Sequence, residues 1–385
     1  GIGSAITVWS AHFADTLLHR PALGGAALLD ARLYAHGAGT ALVLAGITAN
    51  VSALAVAGVT IVALAALTGV LAIVVQYRRA VAPRLAALAI HYAVALTLLA
   101  LGAALGYLTS WSESRGRAHL SDIFYVAHTT TMLLGFVGTT VLGTLTVLWP
   151  TMLRTKMEPE APRWTTRGLP LLVTGTALVA ASGLLAPLAA LGAVVYLAGA
   201  CGVIVPAVKT ARRVPPTSFA TASATAAVTW FLIGVVRIGT GIGFLALGGT
   251  GPADQAAAAR EVIHGVRVLL AAGFALQILA GALSYLSPVM LGDHARHQRR
   301  HGPRGRLPRR RRQRLPRPGA ADGPALGGAR ERGRHGGCHR RLRPGRHGDE
   351  PARGRAPHPQ EEGQWHRYDP RIRRAPAPSD PGECR

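Results

Sequence analysis

Long apolar runs alternate with short polar segments over the first three quarters of the chain. Nine runs approach or exceed the length that crosses a bilayer as a helix, at about residues 3–18, 32–50, 52–76, 84–109, 122–150, 168–187, 188–209, 219–248 and 258–291. The divisions near Asn50 and Pro187 rest on single polar or proline interruptions. Gly, Ala, Ser and Thr are frequent in these runs, which favours close helix packing in lipid. The pattern predicts an all-α fold, a polytopic transmembrane bundle of about nine helices.

Every second connecting segment is basic. The basic residues follow the third, fifth and seventh runs: Arg78, Arg79 and Arg84, then Arg154, Lys156, Arg163 and Arg167, then Lys209, Arg212 and Arg213. Basic loops lie on the cytoplasmic side of multi-pass proteins. We therefore predict a multi-pass protein of the inner (plasma) membrane, with the basic loops and the C-terminal tail in the cytoplasm.

Composition divides the chain at about residue 292. The 385 residues carry a formal net charge of +24, and residues 293–385 contribute 25 Arg against 10 Asp or Glu. That segment has no Lys, Val, Phe or Met and cannot bury a core. We predict a transmembrane helical domain over 1–292 and a low-complexity, disordered Arg/Pro/Gly-rich tail over 293–385.

The basic tail has two interpretations. Its charge suits anionic lipid or nucleic acid. Arg without Lys, among Gly, Pro, His and Ala, is also what a GC-rich gene yields in the wrong reading frame, and the chain opens on Gly1 inside an apolar run. We favour a frame-shifted tail and a truncated N-terminus, so we expect no nucleic-acid partner.

Five histidines lie inside the apolar runs, where imidazole is costly unless it is buried or bound. The loop charges place His128 and His264 near the outer ends of their helices, as one candidate pair. His36 and His91, with His12 nearby, form a second candidate pair toward the cytoplasm. Two imidazoles from facing helices can bind haem or a metal ion. The alternative is that these rings bond to neighbouring helices and bind nothing, so the cofactor is unknown, with haem and copper as candidates.

Charged residues within the runs add a smaller signal. Arg237 lies in the eighth run, where it could neutralise a haem propionate or a quinone-type headgroup, or pair with Asp15 for packing alone. Glu261 and Arg267 lie one turn before and after His264 and could orient its ring or form a surface cluster.

Four helix openings look alike. Each has a histidine, small or hydroxyl residues and an apolar run that reaches a glycine: YAHGAGTALVLAG, AIHYAVALTLLALG, VAHTTTMLLGFVG and VIHGVRVLLAAG. The similarity is consistent with a degenerate repeat and equally with the general likeness of Ala/Gly/Leu-rich helices. The three cysteines form no CxxC pair, and no motif of a soluble enzyme is present.

Three segments resemble a known family. The run AHTTTMLLGFVGTTVLGTLTVLWPTMLRTKM, together with GIGSAITVWSAHFADTLLHR and LQILAGALSYLSPVMLG, resembles the N-terminal polytopic membrane region of bacterial membrane-anchored multicopper oxidases related to copper nitrite reductases. The resemblance implies electron transfer in a copper-dependent system, with cupredoxin domains or a copper oxidase as partner beside the lipid bilayer. His12 and His128 match histidine-containing segments of the family. The cupredoxin domains have no counterpart here, so the catalytic copper chemistry is not expected in this chain.

Three functions remain open from the sequence. The first is a membrane module of a copper-dependent oxidase or reductase system that binds haem or metal through membrane histidines. The second is a transporter or permease, which predicts broken helices and related halves. The third is a structural membrane anchor without a cofactor. Whether the chain is an enzyme is left undecided by the sequence.

Overall fold

The structure is a computed structural model and describes residues 1–80, 85–245, 247–248 and 251–287. Within these residues the chain forms nine long helices and no strand. The helices are α1 (Ile2–Leu18), α2 (Gly25–Thr48), α3 (Ser52–Arg79), α4 (Ala86–Ser114), α5 (Ala118–Met152), α6 (Ala161–Ala180), α7 (Pro187–Arg213), α8 (Phe219–Leu245) and α9 (Pro252–Ser287). The all-α prediction and the number of helices are confirmed. The predicted tail, 293–385, lies outside the described residues.

Six of the nine helices are long and apolar enough to cross a membrane: α3, α4, α5, α7, α8 and α9. The chain is therefore a membrane protein by the length and composition of its helices, whose backbone groups are hydrogen-bonded within each segment as a lipid environment requires. Several helices extend beyond their apolar runs at one or both ends, because the polar residues there also adopt helical conformation. The largest difference is α6, which begins at Ala161 and ends at Ala180, whereas the apolar run predicted 168–187.

Helix α5 forms the centre of the bundle. It contacts α1, α4, α6, α7, α8 and α9. In its most apolar window 72% of the residues are buried, whereas the other five membrane-capable helices bury 33–44%. The helix that carries His128 is thus surrounded by protein, and most of the remaining helices expose apolar side chains.

The chain contains two four-helix units that repeat one arrangement. In the first unit (α2–α5) and the second unit (α6–α9), each helix packs against the next one in sequence. Helices α5 and α9 also contact each other and run in the same direction, since Asp122 bonds Arg260 near their starts and Thr151 bonds Tyr285 near their ends. The two units therefore have the same orientation.

Glycine contacts show the repetition residue by residue. A Cβ added to any of these glycines would lie 3.1 Å or closer to its partner on the neighbouring helix, so a larger residue would force that neighbour to shift. The pairs of the first unit are Gly39–Val62, Gly58–Val43, Gly102–Met132, Gly135–Leu98 and Gly143–His91, and the corresponding pairs of the second unit are Gly175–Tyr196, Gly192–Val179, Gly234–Leu270, Gly273–Trp230 and Gly281–Ser223. For each pair of corresponding helices, the numbers of corresponding residues differ by the same amount along the whole helix.

The repetition decides which of the similar helix openings are equivalent. The openings of α5 and α9 lie on corresponding helices, but their histidines do not correspond, because the register that matches Gly135 with Gly273 matches His128 with Val266; the openings of α2 and α4 belong to other positions of the unit. Both α5 and α9 also contain a stretch of wide π-type turns, at Thr131–Gly138 and Leu269–Leu276. Such turns are rare and often occur at functional sites.

Candidate functional site

His128 is held in one orientation by α4. Its Nδ1 lies 2.8 Å from the carbonyl oxygen of Gly102, and because a carbonyl only accepts, Nδ1 carries the proton. The ring rests on Gly106, where an added Cβ would lie 2.8 Å from the ring Cε1. In the neutral ring, Nε2 then keeps its lone pair. This is the arrangement that orients a histidine as a ligand, with one nitrogen donating to a carbonyl and the other free to bind.

His264 lies in a polar cluster between α5 and α9. Its exposed ring lies 6.5 Å from the ring of Tyr125, measured between centroids. The guanidinium of Arg260 lies 4.7 Å from the same tyrosine ring and forms a 3.0 Å ion pair with Asp122. We call Asp122, Tyr125, Arg260 and His264 the α5–α9 cluster. It joins the starts of the two equivalent helices through one ion pair, one cation–π contact and one ring contact.

The predicted pair His128/His264 is brought to one region but not into contact. Tyr125, which His264 contacts, lies one turn before His128 on α5. The His128 ring, however, faces Gly102 and Gly106 on α4, and no described contact joins the two imidazoles. The two histidines therefore share a level on neighbouring helices and face different neighbours.

The second predicted set is more dispersed. His36 packs over Gly3 on α1, whereas His91 is completely buried against Gly143 on α5. The main chain at Thr165 and at Leu88 lies beside the His91 ring, but neither ring nitrogen makes a contact with full hydrogen-bond geometry. His12 is exposed, with its ring edge toward Phe13. No described contact joins these three histidines.

Arg237 is exposed on the outer face of α8 rather than buried. It lies eight residues before the end of the helix, or about 12 Å, so its long side chain can reach toward the membrane surface. Asp15, its suggested partner, accepts a 2.5 Å hydrogen bond from Gln76 instead. Glu261 and Arg267 are also exposed.

The residues that sequence reasoning missed are Arg32 and the ion pair Asp122–Arg260. Arg32 is 6% exposed, although the apolar run placed it at a helix end. Helix α2 actually begins at Gly25, two turns earlier, so Arg32 lies inside the bundle. Asp122 and Arg260 carry no local signal of their own, because their pairing depends on the contact between α5 and α9.

A complete metal site is not formed by the described residues, since no three His, Cys, Asp or Glu side chains there lie close enough together to hold an ion. The one free cysteine among them, Cys201, is exposed. Comparison of the chain with protein-family models, with curated proteins and with solved structures finds no match. The geometry of the helices therefore carries the functional argument.

Proposed function

We propose that this chain is the membrane module of a copper-dependent oxidase or reductase system. It lies in the inner membrane with its basic loops in the cytoplasm. The three segments that resemble the family include α1, the central α5 and the end of α9. Helices α5 and α9 join the two units, and α1 packs against the first unit. The starts of α5 and α9 then face the outside and offer the α5–α9 cluster to a cupredoxin partner.

The observation that carries the redox part is the orientation of His128. With Nδ1 donating to Gly102, Nε2 is available as a single ligand for haem iron or copper, groups that supply one-electron transfer when bound. The described residues supply this one ligand but do not form a complete coordination site. The further ligand would be His264, after a side-chain rearrangement, or a residue of the partner.

An optical and metal analysis of the purified membrane protein tests the ligand part. We expect a Soret band after expression with a haem supply, or bound copper by elemental analysis, that is lost in His128→Ala. His12→Ala is the matched control, because His12 is exposed and lies on another helix. A colourless protein without copper, or equal loss in both variants, would refute ligation by His128.

The partner part has an independent test. The DNA that follows the codon for residue 292 is translated in all frames. A cupredoxin domain in another frame would support the proposed system, whereas frames without one would count against the copper partner and leave the ligand test unaffected.

A transporter is the second candidate, and the repeated units favour it. Four-helix units in the same orientation correspond to the parallel repeats found in some transporters, whose substrates bind between the repeats. The protein is reconstituted into liposomes, which are assayed for uptake of copper ions and of inorganic phosphate. Saturable uptake of either would favour a transporter over a redox module, and uptake equal to that of empty liposomes would oppose it.

A further inference from the structure

Arg32 is a buried cation at the junction of α2, α3 and α4. Its Nε donates a 3.2 Å hydrogen bond to the carbonyl oxygen of Ala65. Its guanidinium occupies the space that a side chain at Gly69 would fill, and Leu96 of α4 borders the same space. The other four N–H groups of the guanidinium make no hydrogen bond or ion pair with the described residues. A charged group so placed in a membrane protein is costly and marks a functional site by default.

The second unit shows that the fold does not require this side chain. The position that corresponds to Arg32 is Gly168, and the position that corresponds to Ala65 is Gly199. There the two main chains touch directly, since a Cβ on Gly168 would lie 2.5 Å from the carbonyl oxygen of Gly199. The same helix crossing thus forms with glycine in one unit and with a buried arginine in the other.

The surroundings of Arg32 offer no counter-charge in the described part of the chain. Asp15 is engaged by Gln76, which also donates to the carbonyl oxygen of Arg20. Asp30, two residues before Arg32, is exposed. A guanidinium presents paired N–H groups that match the oxygens of a phosphate or carboxylate.

The depth of Arg32 suits a group that enters from the nearby membrane surface. Arg32 lies seven residues after the first residue of α2, about 10 Å along the helix axis. A cavity lined by Arg20, Gln76 and Arg79 lies where α1 and α3 end, near the start of α2. Its two arginines add positive charge at this end of α2. In the orientation that the basic loops predict, this end of the helices faces the cytoplasmic membrane surface, where lipid phosphates lie.

We propose that Arg32 binds an anionic oxygen group, a phosphate or a carboxylate, between α2, α3 and α4 of the first unit. The source is either the headgroup of an anionic lipid or a free anion. The second unit, with Gly168 at the corresponding position, does not bind it.

Thermal unfolding of the whole chain, followed by intrinsic fluorescence, distinguishes the two sources. One arm titrates inorganic phosphate into detergent-solubilised protein against chloride at equal ionic strength. The other arm compares nanodiscs of phosphatidylglycerol with nanodiscs of phosphatidylcholine. We expect a saturable rise in the unfolding temperature in one arm, because a ligand that binds only the folded state stabilises it.

Three variants locate the effect. Arg32→Met and Arg32→Gly, the latter copying the second unit, should abolish the rise, whereas Arg237→Met removes an exposed charge and should keep it. A rise that survives in Arg32→Met, or that disappears equally in Arg237→Met, overturns the proposal. If neither Arg32 variant is recovered folded, the wild-type chain decides, because the absence of a saturable, anion-specific rise in both arms also overturns it.

Discussion

Gly106→Ala tests whether the His128 ring is fixed as the structure shows. The added Cβ would lie 2.8 Å from Cε1 and 2.9 Å from Nδ1 of His128, closer than side-chain atoms pack. The ring must therefore move away from Gly106, and its 2.8 Å hydrogen bond to Gly102 is lost.

The expected loss follows from two terms. Overpacking costs about 1–3 kcal/mol and the lost hydrogen bond about 0.5–1.5 kcal/mol, whereas alanine gains about 1 kcal/mol over glycine in helix propensity. The net effect is a destabilisation of about 1–3 kcal/mol. Gly37→Ala and Gly265→Ala are matched controls, because an added Cβ meets nothing within 4 Å at either position. Both should leave stability unchanged or raise it slightly.

A double-mutant cycle makes the assay specific to the ring. The free energy of unfolding is measured in mixed micelles for Gly106→Ala, His128→Ala and the double variant. Without the imidazole, alanine at residue 106 meets no ring, so its cost should vanish and the coupling energy should be about 2 kcal/mol or more. An equal effect of Gly106→Ala in both backgrounds would refute the ring position and the ligand argument built on it.

Two further predictions concern the contacts around α5. Tyr196→Phe removes a buried 2.9 Å hydrogen bond to the carbonyl oxygen of Leu134, which lies in the wide turn of α5. The free energy of unfolding should fall by about 1 kcal/mol, because that carbonyl loses its side-chain donor. An unchanged value would contradict the role of this bond. Exchanging the charges of Asp122 and Arg260 should restore the stability that either single reversal lowers, as measured by thermal unfolding of the three variants; a double variant as unstable as the sum of the single ones would exclude the ion pair.

The helices could be predicted from the sequence because lipid imposes a strong local rule. A segment that crosses a bilayer must be long, apolar and internally hydrogen-bonded, and each of these properties is visible in one run. The interruptions at Asn50 and Pro187 were sufficient to separate α2 from α3 and α6 from α7. Asn50 indeed adopts a positive φ of 55° in the turn between its helices, a conformation that asparagine tolerates better than most residues.

The side-chain pairings could not be predicted, because they depend on how helices rotate against one another. The membrane depth inferred from the sequence placed His36 and His91 near each other. In the structure, His36 faces α1 and His91 faces α5. The likeness of the helix openings did not reveal the repeat, because the register in which Gly135 corresponds to Gly273 matches His128 with Val266 rather than with His264. Recognising it required the spatial pairs of glycines, since the partners of corresponding glycines, such as His91 and Ser223, are chemically unrelated.

The difference between the two units indicates where the chemistry of this chain is concentrated. At one corresponding contact, Ser223 donates a 2.9 Å hydrogen bond to the carbonyl oxygen of Gln277, whereas His91 is fully buried and has no partner of acceptable geometry. At another, Gly168 allows direct contact of the main chains, whereas Arg32 holds a charge inside the bundle. In both cases the second unit has the small residue that satisfies packing, and the first has a costly polar group that packing does not explain. The second unit forms the same backbone arrangement without these two side chains, so the fold does not require them. The first unit is therefore where a bound group should be sought.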